Sequence, residues 1–332
     1  LMTNILITGG TGFVGSHMID YILNNKTNVK IYATKRWMED TKNVDHITDD
    51  RFEFIDCDLI DGASVKRAID ISKPDKVFHF AAQSFPEVSF KIPVITLQTN
   101  VIGTTHLLES IKESDFDPVV VSISSSEVYG NPKEDEIPIK ETNPIRPANP
   151  YSISKVGHDL MSQYYHNAYG MKIIITRMFS HEGARRGKRF ALSWFAYQIV
   201  MAEKDENFPP QPPSFPTHPI KHGNLDSVRT YNHIEDAIKA YWLCSESDRY
   251  GEVYNIGGDY TCTVGDALDM LISKSTISDA LFKVLDKERV RPTDITLQIP
   301  SSDKFKEHFG WKPEKDLTHI CDDLLNYWRE VL

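Results

Sequence analysis

Cysteine is scarce: four residues, Cys57, Cys244, Cys262 and Cys321, in a chain of 332. None stands in Cys-x-x-Cys or metal-ligand spacing, which argues against a structural zinc site or a disulfide framework and suits a reducing cytoplasm. Long apolar runs are missing too. No stretch approaches the ~20 residues that a membrane-spanning helix needs. The first strand-like segment, Asn4-Ile5-Leu6-Ile7, comes too early to leave room for a secretory leader. Positive charge is in deficit, with 37 Lys and Arg against 47 Asp and Glu and a net charge of −10. Basic surface drives nucleic-acid binding, so this balance disfavours such a partner. Any anionic ligand has to be gripped by local arginines. The expectation is a cytoplasmic protein with no membrane anchor, no nucleic-acid partner and no metal.

Apolar residues make up 40% of the chain and charged residues 25%, a globular balance. The length allows one large domain carrying a smaller one. In the first half, short β-branched runs at 5–7, 29–33, 52–55, 77–80 and 119–123 alternate with helical periodicity at 13–24, 63–72 and 95–113. Strands apolar on both faces and separated by helix-length segments predict an α/β fold, a doubly wound parallel sheet of Rossmann type covered by helices on each side. A helix from Pro150 to about Tyr169 and a sixth strand at 173–176 bring this domain to residue 178, with further pieces from about 223–255. Residues 179–332 read mainly as a smaller mixed α/β lobe for substrate, with helices near 234–246, 264–274, 302–309 and 316–331 and a short strand at 253–256. The Pro-rich run 209–216 cannot be helical and reads as an extended loop, or as a docking segment for a proline-reading partner.

Gly9, Gly12 and Gly15 in "TGGTGFVGSH", with Phe13 and Val14 between them, follow the first strand and open a helix. Glycines there permit a tight turn and close approach of a pyrophosphate to free N–H groups at the helix start. The second strand ends in Thr34, Lys35 and Arg36, where an NAD-binding chain would offer an acid to the ribose hydroxyls. Two cations suit a 2′-phosphate, so NADP is favoured over NAD. A solvated basic turn is the plainer reading. Asp58 and Leu59 after the third strand, and Ala81, Ala82, Gln83 and Ser84 after the fourth, lie at strand C-terminal ends, where open α/β sheets hold ligands.

Tyr151 and Lys155 are four apart in "YSISK" and so share a helix face. An ammonium beside a phenol stabilises phenolate and draws a proton acceptor down from about 10. "SISSSEVYG" sets Glu127 at the mouth of an apolar strand, among Ser125 and Ser126. A carboxylate there is either a base within reach of a substrate or one half of a structural ion pair.

The glycine turn, Ser125, Tyr151 and Lys155 fall in the order and spacing of the extended short-chain dehydrogenase/reductases, which this chain resembles. The resemblance implies that Ser125 hydrogen-bonds the oxygen being oxidised, Tyr151 takes its proton, and Lys155 holds the ribose and tunes the tyrosine. "MFSHEGARRG", "HGNLDSVRTY", "RPTDI" and "GWKP" narrow it: over nearly its whole length the chain is similar to the GDP-mannose 4,6-dehydratases. That family's Thr-Ser-Glu corresponds to Ser125-Ser126-Glu127, with Glu127 removing the proton at carbon 5 after oxidation at carbon 4. Water then leaves carbon 6, with no net use of cofactor. His181 and Arg186 would contact the cofactor, Arg186 across a subunit boundary, which implies a homodimer or homotetramer. Ser84, Ser126, Ser180, Arg229 and Arg291 would bind a GDP-sugar. Three features depart from the family: Ser180 replaces an asparagine, Ala184 replaces a proline, and the stretch 209–219 resembles an insertion. "KRW", "FAAQSFPEVSF" and "SSSEVYG" look closer to the branch acting on GDP-linked manno-heptose. Alternatives on the same scaffold are an NADPH-dependent 4-keto reductase or epimerase and an idle NADP-binding regulator.

Overall fold

The computed structural model describes residues 2–205, 216–290 and 293–332. Strands with apolar side chains on both faces need cover on both, and the chain supplies it by alternation. In order come β1 (Thr3–Thr8), α1 (Phe13–Asn25), β2 (Val29–Lys35), β3 (Phe52–Asp56), α2 (Gly62–Ser72) and β4 (Lys76–His79). The short α3 (Pro86–Ser89) and α4 (Pro93–Leu97) precede α5 (Gly103–Lys112), β5 (Val119–Ile123), α6 (Pro150–Tyr169) and β6 (Ile173–Met178). Then follow β7 (His181–Glu182), α7 (Ala191–Glu203), β8 (His218–His222), β9 (Val228–His233), α8 (Ile234–Ser245) and β10 (Val253–Ile256). The chain closes with β11 (Tyr260–Thr263), α9 (Val264–Ser273), β12 (Leu281–Leu285), β13 (Leu297–Gln298), α10 (Asp303–Phe309) and α11 (Leu317–Val331).

Seven strands form one parallel sheet in the order β10-β6-β5-β4-β1-β2-β3. Successive side chains of β1 show why it needs two helical layers. Ile5 and Ile7 pack with Met18 and Ile22 of α1 and with Ile238 and Tyr241 of α8. Leu6, pointing the other way, packs with Val65 and Ile69 of α2 and Leu107 and Leu108 of α5. All three β1 side chains are fully buried, each worth roughly 1.5–3 kcal/mol. Strand order reverses between β1 and β4, which opens a crevice at their C-terminal ends.

A second core gathers where α7, α9 and α11 meet, around Leu192, Phe195, Leu268, Leu271, Ile320 and Leu324. Its strands are short: β9 pairs antiparallel with β11 and parallel with β7 and β13, while β8 pairs with β12. The two halves interleave, because α8 covers the large sheet and β10 forms its edge.

The expected single helix at 95–113 is three pieces: α4, a π-helical turn over Gln98–Ile102, and α5. Buried Asn100 explains the break, since its side chain is drawn away to pair with both backbone groups of Gln83 and with Ser154. The sixth strand runs to Met178 rather than 176, which delivers Ser180 and His181 to the crevice. Most of the Pro-rich run, 206–215, lies outside the described residues, as does Arg291. Among the described residues no helix is long and apolar enough to cross a membrane.

Candidate active site

Every candidate residue within the described structure lines one cavity of about 770 Å³ at the crevice. The cavity begins at the glycine turn. Gly9 adopts φ +72°, and a Cβ there would stand 2.9 Å from Cα of Ala81. On Gly15 a Cβ would stand 2.3 Å from the Gly9 carbonyl oxygen. No side chain caps α1 at Gly12, so the donors around Phe13 and Val14 face the cavity, as a pyrophosphate requires. The walls therefore fit a dinucleotide. Ala81 is tied to β1 through its N–H and the Thr8 hydroxyl, 3.1 Å. Gln83 spends its amide inward, donating to Thr96 at 3.1 Å and accepting from the Phe85 N–H at 2.6 Å. Asp58 accepts from the Ile60 N–H, 3.1 Å, which shapes the turn that carries Leu59. At the far end, Lys35 pairs with Asp56 at 2.7 Å and Arg36 with Glu39 at 3.2 Å.

The chemical end is assembled by α6 and the residues after β5. Asn149 caps α6 by accepting from the Ser152 N–H at 2.8 Å, and Pro150 starts the first turn. The other end of the Asn149 amide donates to the Glu127 carboxylate at 3.0 Å. One residue thus starts the helix that carries Tyr151 and Lys155 and also aims the acid. The Glu127 N–H donates to Ser125 Oγ at 3.2 Å, and its carbonyl accepts from the Gly130 N–H at 3.1 Å. Lys155 is buried and donates to the Ile123 carbonyl at 2.5 Å. Burial brings its pKa down to about 7. The Tyr151 phenol is pushed well above its ordinary value, first by burial and then by the Glu127 charge, while the Ser125 hydroxyl and Arg186 oppose the rise. Burial is thus the largest influence on the phenol, with the Ser125 hydroxyl and the Arg186 guanidinium opposing it.

His181 donates through Nδ1 to the Phe179 carbonyl, 3.0 Å, so Nε2 is left as a buried acceptor without a hydrogen-bond partner. Burial and Arg186 hold the ring neutral, with a pKa lowered to about 3. Arg186 packs against two aromatic rings. It turns into its own chain's cavity, 3.4 Å from the Phe190 ring centre and 4.9 Å from that of Phe13, with Glu182 at 3.5 Å. Two aromatic faces and a carboxylate four residues back account for this inward position. Glu182 in turn is raised by burial to about 7.

Of the remaining candidates, Ser84 is exposed and lines the cavity, and Ser126 donates to Gln298 on β13 at 3.3 Å. The Ser180 carbonyl accepts from Asn232 at 2.9 Å and so ties the loop to β9. Arg229 donates to the carbonyls of Val228, 2.9 Å, and Ile295, and lies 3.9 Å from Asp294. Sequence reasoning passed over Asn149, Asn100, Glu182 and Glu39. Asn149 was findable, because Asn before Pro at the head of a helical pattern is a start signal. The others needed coordinates.

A glycine-cradled crevice at the strand-order reversal, with serine, tyrosine and lysine gathered at its base, defines an extended short-chain dehydrogenase/reductase. The family model described as GDP-mannose 4,6 dehydratase matches residues 6–324, and the chain belongs to that family. It is an enzyme of the nucleotide-sugar 4,6-dehydratase class. GDP-mannose 4,6-dehydratase of Yersinia enterocolitica is 25% identical over 98% of this chain and 93% of its own. Among solved structures, dTDP-glucose 4,6-dehydratase of Bacillus anthracis in complex with NAD matches at a TM-score of 0.82 and 25% identity, covering 99% of this chain and 97% of that one. RMD from Pseudomonas aeruginosa complexed with NADPH matches at 0.80 and 25%, covering 99% and 100%.

Proposed function

We propose that the protein dehydrates a GDP-linked hexose or heptose to its 4-keto-6-deoxy form, with NADP as the resident cofactor. The observation that carries this reading is Glu127, a carboxylate lining the same cavity as Ser125, Tyr151 and Lys155 and aimed by the Asn149 amide. A carboxylate there can take the proton that elimination requires. A dinucleotide held by the glycine turn would supply the acceptor for a carbon 4 hydride and the donor for its return at carbon 6. Ser125 holds the carbon 4 oxygen and Tyr151 removes its proton. Glu127 then takes the proton from carbon 5, acidified by the new ketone, and passes it to the carbon 6 hydroxyl, which departs as water; carbon 5 regains a proton from solvent when hydride is added at carbon 6. For proton transfer Tyr151 must form the phenolate, and a bound cationic nicotinamide with a protonated Lys155 would oppose the effect of burial on the phenol. Arg229 and Arg291 would grip the diphosphate, and Lys35 with Arg36 the 2′-phosphate.

Self-association belongs to the same proposal. Val94, Leu97, Ile102, Ile153, Leu160 and Tyr164, on and around α4, α5 and α6, are each at least 40% exposed, an apolar set suited to a second copy. A cytoplasmic setting suits the four free cysteines. The deciding experiment replaces Glu127→Gln and supplies GDP-mannose or its heptose homologue in deuterated water without added nicotinamide. Carbon 4 oxidation should survive while deuterium entry at carbon 5 stops. Undiminished exchange would remove Glu127 from its role, and steady NADPH consumption with a keto-sugar would identify a reductase instead.

A further inference from the structure

Arg186 is a largely buried cation with donor capacity to spare. Among the described residues its Nε has no hydrogen-bond partner, and Glu182, 3.5 Å away, leaves Oε2 equally unengaged. Both groups line the cavity, and the Phe13 ring beside the guanidinium belongs to the first residue of α1. A guanidinium so placed, next to the free N–H groups of a helix start, suits an anionic group. What holds it there lies outside the cavity.

One helix of the lobe, α11, brackets Arg186 on both sides. Asp323 accepts from the Ala184 N–H at 2.7 Å. The Trp328 indole donates to Ser193 at 3.1 Å, and Ser193 donates to the Arg186 carbonyl at 2.6 Å. Asp323 is itself held: His233 Nδ1 accepts from the Glu235 N–H at 3.2 Å, which leaves the proton on Nε2, 3.4 Å from the same Asp323 oxygen. α1 fastens the turn as well, through His17 donating to the Ala184 carbonyl at 2.8 Å and Asp20 pairing with Arg185 at 2.6 Å. Between these anchors Arg185 takes a left-handed φ of +67°, a region that side chains with a Cβ disfavour. A Cβ on Gly183 would stand 2.9 Å from the Asp323 carboxylate, so the turn is pressed against that acid. Strain kept by several specific contacts points to a use for the contacts. Neither Asp323 nor Trp328 is among the residues lining the cavity, and any effect they have there must pass through the turn.

We propose that Asp323 is a positioning residue for Arg186: by holding the Ala184 N–H it seats the turn so that the guanidinium meets the pyrophosphate of a dinucleotide at the start of α1. Helix α11 thereby sets cofactor affinity from outside the cavity. The inference rests on the reading that this cavity holds NADP. The test is calorimetric titration of the whole protein, stripped of nucleotide, with NADP. Asp323→Leu should weaken binding about tenfold, and Asp323→Asn, which keeps an acceptor for the Ala184 N–H, should bring it back to within about threefold of wild type. Arg186→Met should weaken binding about tenfold or more. Adding Asp323→Leu to Arg186→Met should cost nothing further, because both remove one contact, whereas a merely structural role would make the losses add. Trp328→Phe keeps the ring and drops its N–H, so it reads the same linkage if Asp323→Leu does not fold. It should weaken binding about threefold alone and not at all beside Arg186→Met. Additive losses, no recovery in Asp323→Asn, or unchanged affinity in Asp323→Leu or Arg186→Met overturns the assignment. A wild-type protein that binds neither NADP nor NAD overturns the cofactor reading itself.

Discussion

The seven-stranded sheet and the lobe built on α7, α9 and α11 bury their apolar residues by different means. In the sheet, single strands are sealed on both faces: Ile5, Leu6 and Ile7 are all fully buried although they point in opposite directions. In the lobe, helices carry the core, through Leu268, Leu271 and Leu324, and the strands are two to six residues long with mixed exposure. The difference separates duties. Strand ends of the sheet and the capped start of α6 bring Ser125, Tyr151 and Lys155 to the cavity, while short strands and loops of the lobe bring Arg229 and Asp294.

The sharpest way to break this comparison is to remove one oxygen at the sheet end. Tyr151→Phe should lower turnover by roughly 10²–10⁴ while leaving dinucleotide retention and the unfolding midpoint unchanged. Full turnover in that variant would move the proton acceptor elsewhere. The next effect concerns how far the lobe stands alone. Leu324→Ala opens a cavity in a fully buried site and should cost about 2–5 kcal/mol in urea unfolding. Because α8 and β10 return to the large sheet, the loss should appear in one concerted transition; a separate early transition would show two independent units. The smallest expected effect lies at the start of α2. Asp61 accepts from the Ala63 N–H at the start of α2, 3.1 Å, and Asp61→Ala should cost about 1 kcal/mol with no change in turnover.

The same contrast shows where the sequence was readable. β1 to β6 were legible because an apolar run flanked by helical periodicity has few other ways to be buried. β8, β9, β11, β12 and β13 were not, since partly exposed strands of a few residues leave no period to detect. α7 was missed although it is well formed. Its buried and exposed positions do not separate cleanly, as Leu192, Ser193, Phe195, Ala196, Ile199 and Val200 all face inward. At the site, glycine spacing and the Tyr-x-x-x-Lys interval were visible because each is confined to one stretch of chain.

By itself the sequence determined the alternation of strands and helices, the glycine turn, the Tyr151 and Lys155 helix face, and an acid at the end of β5, all features carried by residues close along the chain. Tertiary structure alone decided that Asn149 holds Glu127, that Arg186 lies between Phe13 and Phe190, that burial raises the Tyr151 phenol and lowers Lys155, and that Glu39 claims Arg36. Hydrogen-bond geometry and desolvation depend on which distant segments close over a group, and local spacing carries no record of that closure.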